Sequence, residues 1–158
     1  MPQNIEMLLE NASELVSLDE FDEALLIYDK ILTVNPKNVY ALIDKAITLQ
    51  RIGKNYESIK LFNRALKIQP KNVDGLIGKG TTLHAQKKFS DAILCYDEVL
   101  KINPKFPVAL AYKGLSLGEQ GEIKEALKFF KKALIIDKNY DLAKLSKKKA
   151  LELLKSKK

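Results

Sequence analysis

Three short strings in this 158-residue chain have the spelling of motifs that do chemistry. Gly114-Leu115-Ser116-Leu117-Gly118 matches G-x-S-x-G, in which a serine on a strained strand-to-helix turn is activated by a histidine and a carboxylate. Gly78-Lys79-Gly80-Thr81 hints at a phosphate-cradling loop. That loop needs glycine where Val73 stands and a hydroxyl directly after the lysine, where Gly80 stands. Gly75-Leu76-Ile77-Gly78 spells the GxxG loop that clamps an RNA backbone. His84 is the only histidine and Cys95 the only cysteine, too few for a tetrahedral metal site, so no metal and no cofactor are expected. Asp22 and Glu23 form a carboxylate pair at a helix start, where the helix dipole favours negative charge. What each string can do depends on the element that carries it.

Those elements are set by an internal repeat. Pro36, Pro70 and Pro104 fall 34 residues apart, each between Asn or Gln and Lys. Leu8, Leu42, Leu76 and Leu110 recur at that period, as do Leu32, Leu66, Leu100 and Leu134. Leu15, Leu49, Leu83 and Leu117 form a further column that Leu151 extends into the tail. The repeats therefore span about 5–38, 39–72, 73–106 and 107–140, with 141–158 left over, and the whole chain 1–158 is expected to be one domain. Within a unit the apolar steps are three and four, as in Leu42, Ala46, Leu49 and Ile52 and then Ile59, Phe62, Ala65 and Leu66, which predicts two helices per unit. Gly53 and Gly121 suit the left-handed turn that ends a first helix, Asn38 and Asn72 stand at N-cap positions, and Pro107 fits a first helical turn.

The columns also predict the packing. Small residues recur at Ala12, Ala46, Gly80 and Gly114 on the first helix and at Ala24, Ser58, Ala92 and Ala126 on the second. Rings recur beside them at Tyr28, Phe62, Tyr96 and Phe130, and Ile31, Ala65, Val99 and Ala133 complete the seam between units. Ser116 then lies mid-helix, aligned with Thr48 and Thr82, and both glycine-rich strings at 75–81 lie inside a helix. None of the three motifs is on the element its chemistry requires, and no enzyme is expected.

Small residue, ring, small or aliphatic residue, then proline at a 34-residue period resembles the tetratricopeptide repeat over nearly the whole chain. The resemblance implies an all-α, right-handed α-solenoid of four helix-turn-helix repeats with 141–158 as a capping helix. Departures from the family pattern are leucine where an aromatic usually opens the first helix, Asn11, Lys45, Lys79 and Lys113 where a leucine usually follows, and Lys138 in place of the fourth proline. Lysine can lay its methylenes over apolar surface with its amine in water. In the tail, Ala143, Ala150, Leu151 and Leu154 are expected to face inward and Lys147, Lys148 and Lys149 to stop the stack, with Lys155 to Lys158 frayed.

The resemblance further implies that first helices line a concave groove. The stripe there comprises Leu9 and Ser13, then Tyr40, Ile43, Ile47 and Gln50, then Ile77, Thr81 and His84, then Ala111, Leu115 and Gly118. Its apolar members suit a peptide or a partner helix, with Tyr40, Gln50, Thr81 and His84 as hydrogen-bonding groups. Some family members grip a C-terminal carboxylate with a cationic clamp; the matching positions here are Leu9, Ser13, Asp44, Asp74 and Gly78, which excludes that clamp. A non-catalytic adaptor or scaffold binding protein or peptide is therefore the expected function.

Charge supplies two alternatives. Residues 1–36 hold eight acidic side chains against one lysine, whereas 141–158 hold seven lysines against two acids, which suits end-to-end self-association as a structural homo-oligomer. The net charge of +7 invites lysine-mediated nucleic-acid binding, but only Arg51 and Arg64 are available for bidentate base reading and the rings sit in core columns. No run approaches the roughly 18 apolar residues of a membrane span, and Met1 to Glu10 lack a signal-peptide layout. With a single cysteine, this points to a cytoplasmic protein with no membrane partner.

Overall fold

In a computed structural model, which describes residues 4–156, the 34-residue period becomes a period of helix starts. First helices are α1 (Ile5–Ser17), α3 (Val39–Arg51), α5 (Val73–Ala85) and α7 (Pro107–Glu119), and α9 (Asp141–Ser156) follows at the same spacing. Second helices are α2 (Phe21–Val34), α4 (Asn55–Ile68), α6 (Phe89–Ile102) and α8 (Ile123–Ile136). The described residues hold these nine helices and no strand. They form two compact units, one reaching Thr82 and one beginning at Leu83, so the boundary falls in the last turn of α5.

Helix ends follow from the sequence chemistry. Asn38 Oδ1 accepts from the Ala41 N–H at 2.9 Å and Asn72 Oδ1 from the Gly75 N–H at 2.9 Å, each satisfying a donor that the first turn leaves orphaned. Asn4 does the same for Glu6 at 3.1 Å. Phe106 offers no side-chain cap, and Pro107 removes one orphan N–H instead. The turn from first to second helix needs a left-handed residue, which is Gly53 (φ 79°) and Gly121 (φ 85°) as expected. Asp19 and Lys87 meet the same demand in the other two repeats, each at φ 60°.

The core is the set of repeating columns. Tyr28, Phe62, Tyr96 and Phe130 are all buried, as are Ile31, Ala65, Val99 and Ala133. In the first unit Tyr28 and Ile31 pack with Ala12, Ala24 and Ala41, while Phe62 packs with Leu42, Ala46 and Leu49. In the second unit Phe130 packs with Ala126, Leu127 and Ala150. A Cβ added at Gly114 would stand 2.6 Å from Phe130 Cε1, and one at Gly78 would stand 2.3 Å from Phe62 Cζ. Gly78 thus joins the small residues that make room for a ring, a role its column, shared with Asp44 and Tyr112, does not disclose.

The lysine column is not simply solvated. Lys45 bridges from α3 to Asp29 on α2, and Lys113 bridges from α7 to Asp97 on α6 at 2.5 Å, with both lysine side chains only 19% exposed. Lys113 Nζ also lies 4.6 Å from the Phe129 ring centroid. Each amine therefore ties a first helix to the second helix before it. In α9, Ala143 and Ala150 are buried and Leu154 packs on the Phe130 cluster as expected. Leu151 does not face inward; it is 37% exposed, on the flank of the helix turned away from Ala143 and Ala150. Lys155 and Ser156 are helical rather than frayed, and Lys157 and Lys158 lie outside the described residues.

Glycine contacts predict opposite outcomes for one substitution. Gly78→Ala forces a Cβ into the rigid Phe62 ring and should destabilise by about 1–3 kcal/mol despite alanine's better helix propensity. Gly118→Ala meets only Ala126 Cβ at 3.8 Å and should stabilise by up to about 1 kcal/mol. Urea unfolding of the two variants checks both signs.

Candidate partner-binding surface

The stripe expected to bind a partner divides into core residues and surface residues. Ile43 is only 5% exposed and Ala111 is 0% exposed, so both are corrected from groove to core. Ile43 is enclosed by the cluster around Leu42, Leu49 and Phe62, and Ala111 by Leu110, Ala133 and Ala143. Leu9 and Ile47 are half-buried, with one side packed on the core, and Ile77 is half-buried too. Tyr40 is 69% exposed.

Three polar members of the stripe, Gln50, Thr81 and His84, are engaged within the protein. Gln50 Nε2 donates to Thr81 Oγ1 at 2.9 Å, and the Thr81 hydroxyl donates to the Gly78 carbonyl at 3.0 Å. Those bonds fasten α3 to α5 in the first unit and leave Gln50 Oε1 as the amide's acceptor. Beside them the Asp44 carboxyl is pushed up by burial and then by the charge of Asp74. This part of the surface thus combines half-buried Ile47 and Ile77 with the carboxyl groups of Asp44 and Asp74.

In the second unit His84 Nδ1 and Ser116 Oγ are 2.8 Å apart, linking the end of α5 to α7, and Phe89 meets the imidazole edge-on at 5.1 Å. Burial pushes the imidazole below its ordinary range, against the pull of Glu119. Serine, histidine and a carboxylate are therefore neighbours around a G-x-S-x-G string. Ser116 is nevertheless fully buried and mid-helix, where backbone N–H groups are spent on the preceding turn and none remains to hold an oxyanion. The contact joins two helices.

The Thr48 hydroxyl stands beside the Tyr28 hydroxyl, whose pKa is pushed up to about 12 by burial and Asp44. The equivalent residues two repeats on are Ser116 and Tyr96, and the buried Tyr96 hydroxyl has no hydrogen-bond partner among the described residues.

A cavity of about 250 Å³ opens between α7, α8 and α9. Leu115, Ile123, Ala126, Phe130, Ala150 and Leu153 make its apolar wall, and Gly118 leaves room at one side. Glu119, Ser146 and Lys149 supply its polar lining. Leu115 and Gly118 were expected from the stripe; the other wall residues were not. Ala126 and Phe130 read as packing columns, and the spacing of Ser146, Lys149, Ala150 and Leu153 along one flank of α9 was the signal available for the rest. Among the described residues, no group of three His, Cys, Asp or Glu side chains is placed to hold a metal ion, and no helix is long and apolar enough to cross a membrane.

Family models for the tetratricopeptide repeat match residues 9–73, 73–106 and 109–140. No curated protein sequence matches the chain. Among solved structures, the MamA protein is 20% identical with a TM-score of 0.82, over 96% of this chain and 83% of that one. Pseudomonas aeruginosa pilF is 18% identical with a TM-score of 0.87, over 96% and 69%. The first tetratricopeptide domain of Spaghetti (RPAP3), bound to the HSP90 peptide SRMEEVD, is 20% identical with a TM-score of 0.70, over 73% and 92%. These likenesses are of fold, an all-α solenoid of helical repeats.

Two measurements test the second unit's polar contacts. Unfolding returns His84 to a pKa near 6.5, so stability present above that pH is lost as pH falls through it towards the lower folded value. Urea unfolding should weaken from about pH 7.5 to about 5.5, and His84→Gln should flatten that slope; equal slopes refute the assignment. Tyr96→Phe removes an unsatisfied hydroxyl and should stabilise by about 1 kcal/mol, whereas Tyr28→Phe should bring no gain. Thermal melts of the two variants compare them.

Proposed function

The chain belongs to the tetratricopeptide-repeat family, and from that premise we propose that it is a non-catalytic adaptor that seats an apolar anchor residue of a partner protein in the α7–α8–α9 cavity. A scaffold for protein–protein contact is what the repeat fold implies. The cavity is the observation that carries the finer reading: six apolar side chains surround about 250 Å³, a space suited to one large aliphatic or aromatic side chain. Glu119 and Lys149 in the lining give acceptor and donor groups for the polar backbone on either side of that anchor.

The first unit's surface bears on the partner's charge. Tyr40, Ile47 and Ile77 offer apolar contact around Asp44, whose ionised form is disfavoured by burial and by Asp74. A lysine or arginine on the partner would offset that cost. The peptide in the Spaghetti structure carries two glutamates and an aspartate, whereas positions matching the clamp here include Asp44 and Asp74. An apolar segment with a basic residue is the partner chemistry these groups favour.

Leu153 is the residue to test, because it lines the cavity yet is 39% exposed, so its replacement leaves the core intact. Peptides selected from a random phage-displayed library against the wild-type chain should carry a large apolar residue, and Leu153→Glu should weaken them by about 10- to 100-fold in calorimetry. The melting temperature of Leu153→Glu should stay at the wild-type value. Selected peptides that bind Leu153→Glu and wild type equally would refute the cavity as the site.

A further inference from the structure

A different pair of surfaces points to a second copy of this chain as a partner. On α3, Ala41, Lys45 and Thr48 form the face that meets α2: Ala41 and Thr48 are buried and Lys45 reaches Asp29. One period earlier, the same face of α1 carries Met7, Asn11 and Glu14, with Leu18 just beyond the helix, and it is bare. Met7 is 61% and Leu18 63% exposed, and Glu10 and Glu14 are exposed beside them. On α7, Leu110 and Gly114 are buried against α8. One period later, the same face of α9 carries Lys144, Lys148 and Leu151, joined by Lys155, and it is exposed as well.

Two faces that elsewhere form seams between helices are therefore uncovered, one acidic and one basic, each with apolar side chains among its charges. Helical spacing puts Met7, Glu10 and Glu14 on one flank of α1, and Lys144, Lys148, Leu151 and Lys155 on one flank of α9. That α9 flank is separate from the flank lining the α7–α8–α9 cavity, so the contact does not depend on the cavity's role.

We propose that the Met7–Glu10–Glu14 face of one copy docks on the Lys144–Lys148–Leu151 face of another. Opposite charge selects this pairing, since two α1 faces or two α9 faces would each set like charges together. The contact is between unlike surfaces, so every pair keeps one free face of each kind and association continues with concentration.

Sedimentation velocity on the full chain tests this with two charge reversals at exposed sites. Wild type should form species larger than a monomer at about 20 mM salt, growing with concentration, and disperse at about 0.5 M, where screening is nearly complete over a few ångströms. Glu10→Lys with Glu14→Lys, and separately Lys144→Glu with Lys148→Glu, should each be monomeric at low salt. Mixed one to one, the two variants should associate again at low salt, because the native acidic α1 face of one meets the native basic α9 face of the other and the two reversed faces are also opposite in charge. Continued association of either variant alone, or a mixture that stays monomeric, overturns the pairing. A wild-type chain that is monomeric at low salt at every concentration also overturns it, whether or not its lysines then retain RNA on a filter.

Discussion

The close approach of an aromatic ring to a residue with almost no side chain is the constraint on which the structure depends. Phe130 occupies the space that a Cβ on Gly114 would take, and Phe62 does the same at Gly78. A ring buried this way contributes a large apolar area, but only if the facing helix gives up its own side chain at that level. At the 34-residue period the column facing the rings is Ala12, Ala46, Gly80 and Gly114, to which Gly78 adds outside the period, and these small residues let the leucines and alanines around the rings interlock.

Polar groups between the helices are placed by the same spacing. Lys45 and Lys113 each reach back to an aspartate sixteen residues earlier, Asp29 and Asp97, so that a column departing from the family's usual leucine still joins successive helices. Gln50 with Thr81, and His84 with Ser116, fasten one first helix to the next through side chains rather than presenting free hydrogen-bonding groups. Where repetition is imperfect a cost remains. The buried Tyr96 hydroxyl, unlike that of Tyr28 beside Thr48, has no hydrogen-bond partner among the described residues. Asp19 and Lys87 adopt a left-handed backbone that Gly53 and Gly121 adopt without steric penalty.

Residues outside the columns are where interaction surfaces arise. The α7–α8–α9 cavity exists because α9 packs by two alanines, Ala143 and Ala150, while the Leu153 flank stands off from Leu115 and Ile123. In the charged faces of α1 and α9, Lys144 and Lys148 stand where the repeats carry leucine and alanine or glycine, and Glu14 stands where they carry threonine or serine.

The sequence by itself determined the repeat, the helical class, the caps at Asn38 and Asn72, the turns at Gly53 and Gly121 and nearly all of the core. Each of those is a local or periodic demand that one residue type meets, so spacing along the chain discloses it. It could not separate Ile43 and Ala111 from Ile47 and Leu115, because a one-residue rotation of contact around a helix decides which apolar side chain meets a neighbour and which meets solvent. Nor could it show that Gln50, Thr81 and His84 are occupied, since their partners lie 31 to 32 residues away along the chain. Only the tertiary structure decided those pairings, and with them an open cavity between three helices, because an empty volume is a property of how surfaces fail to meet and no single segment encodes it.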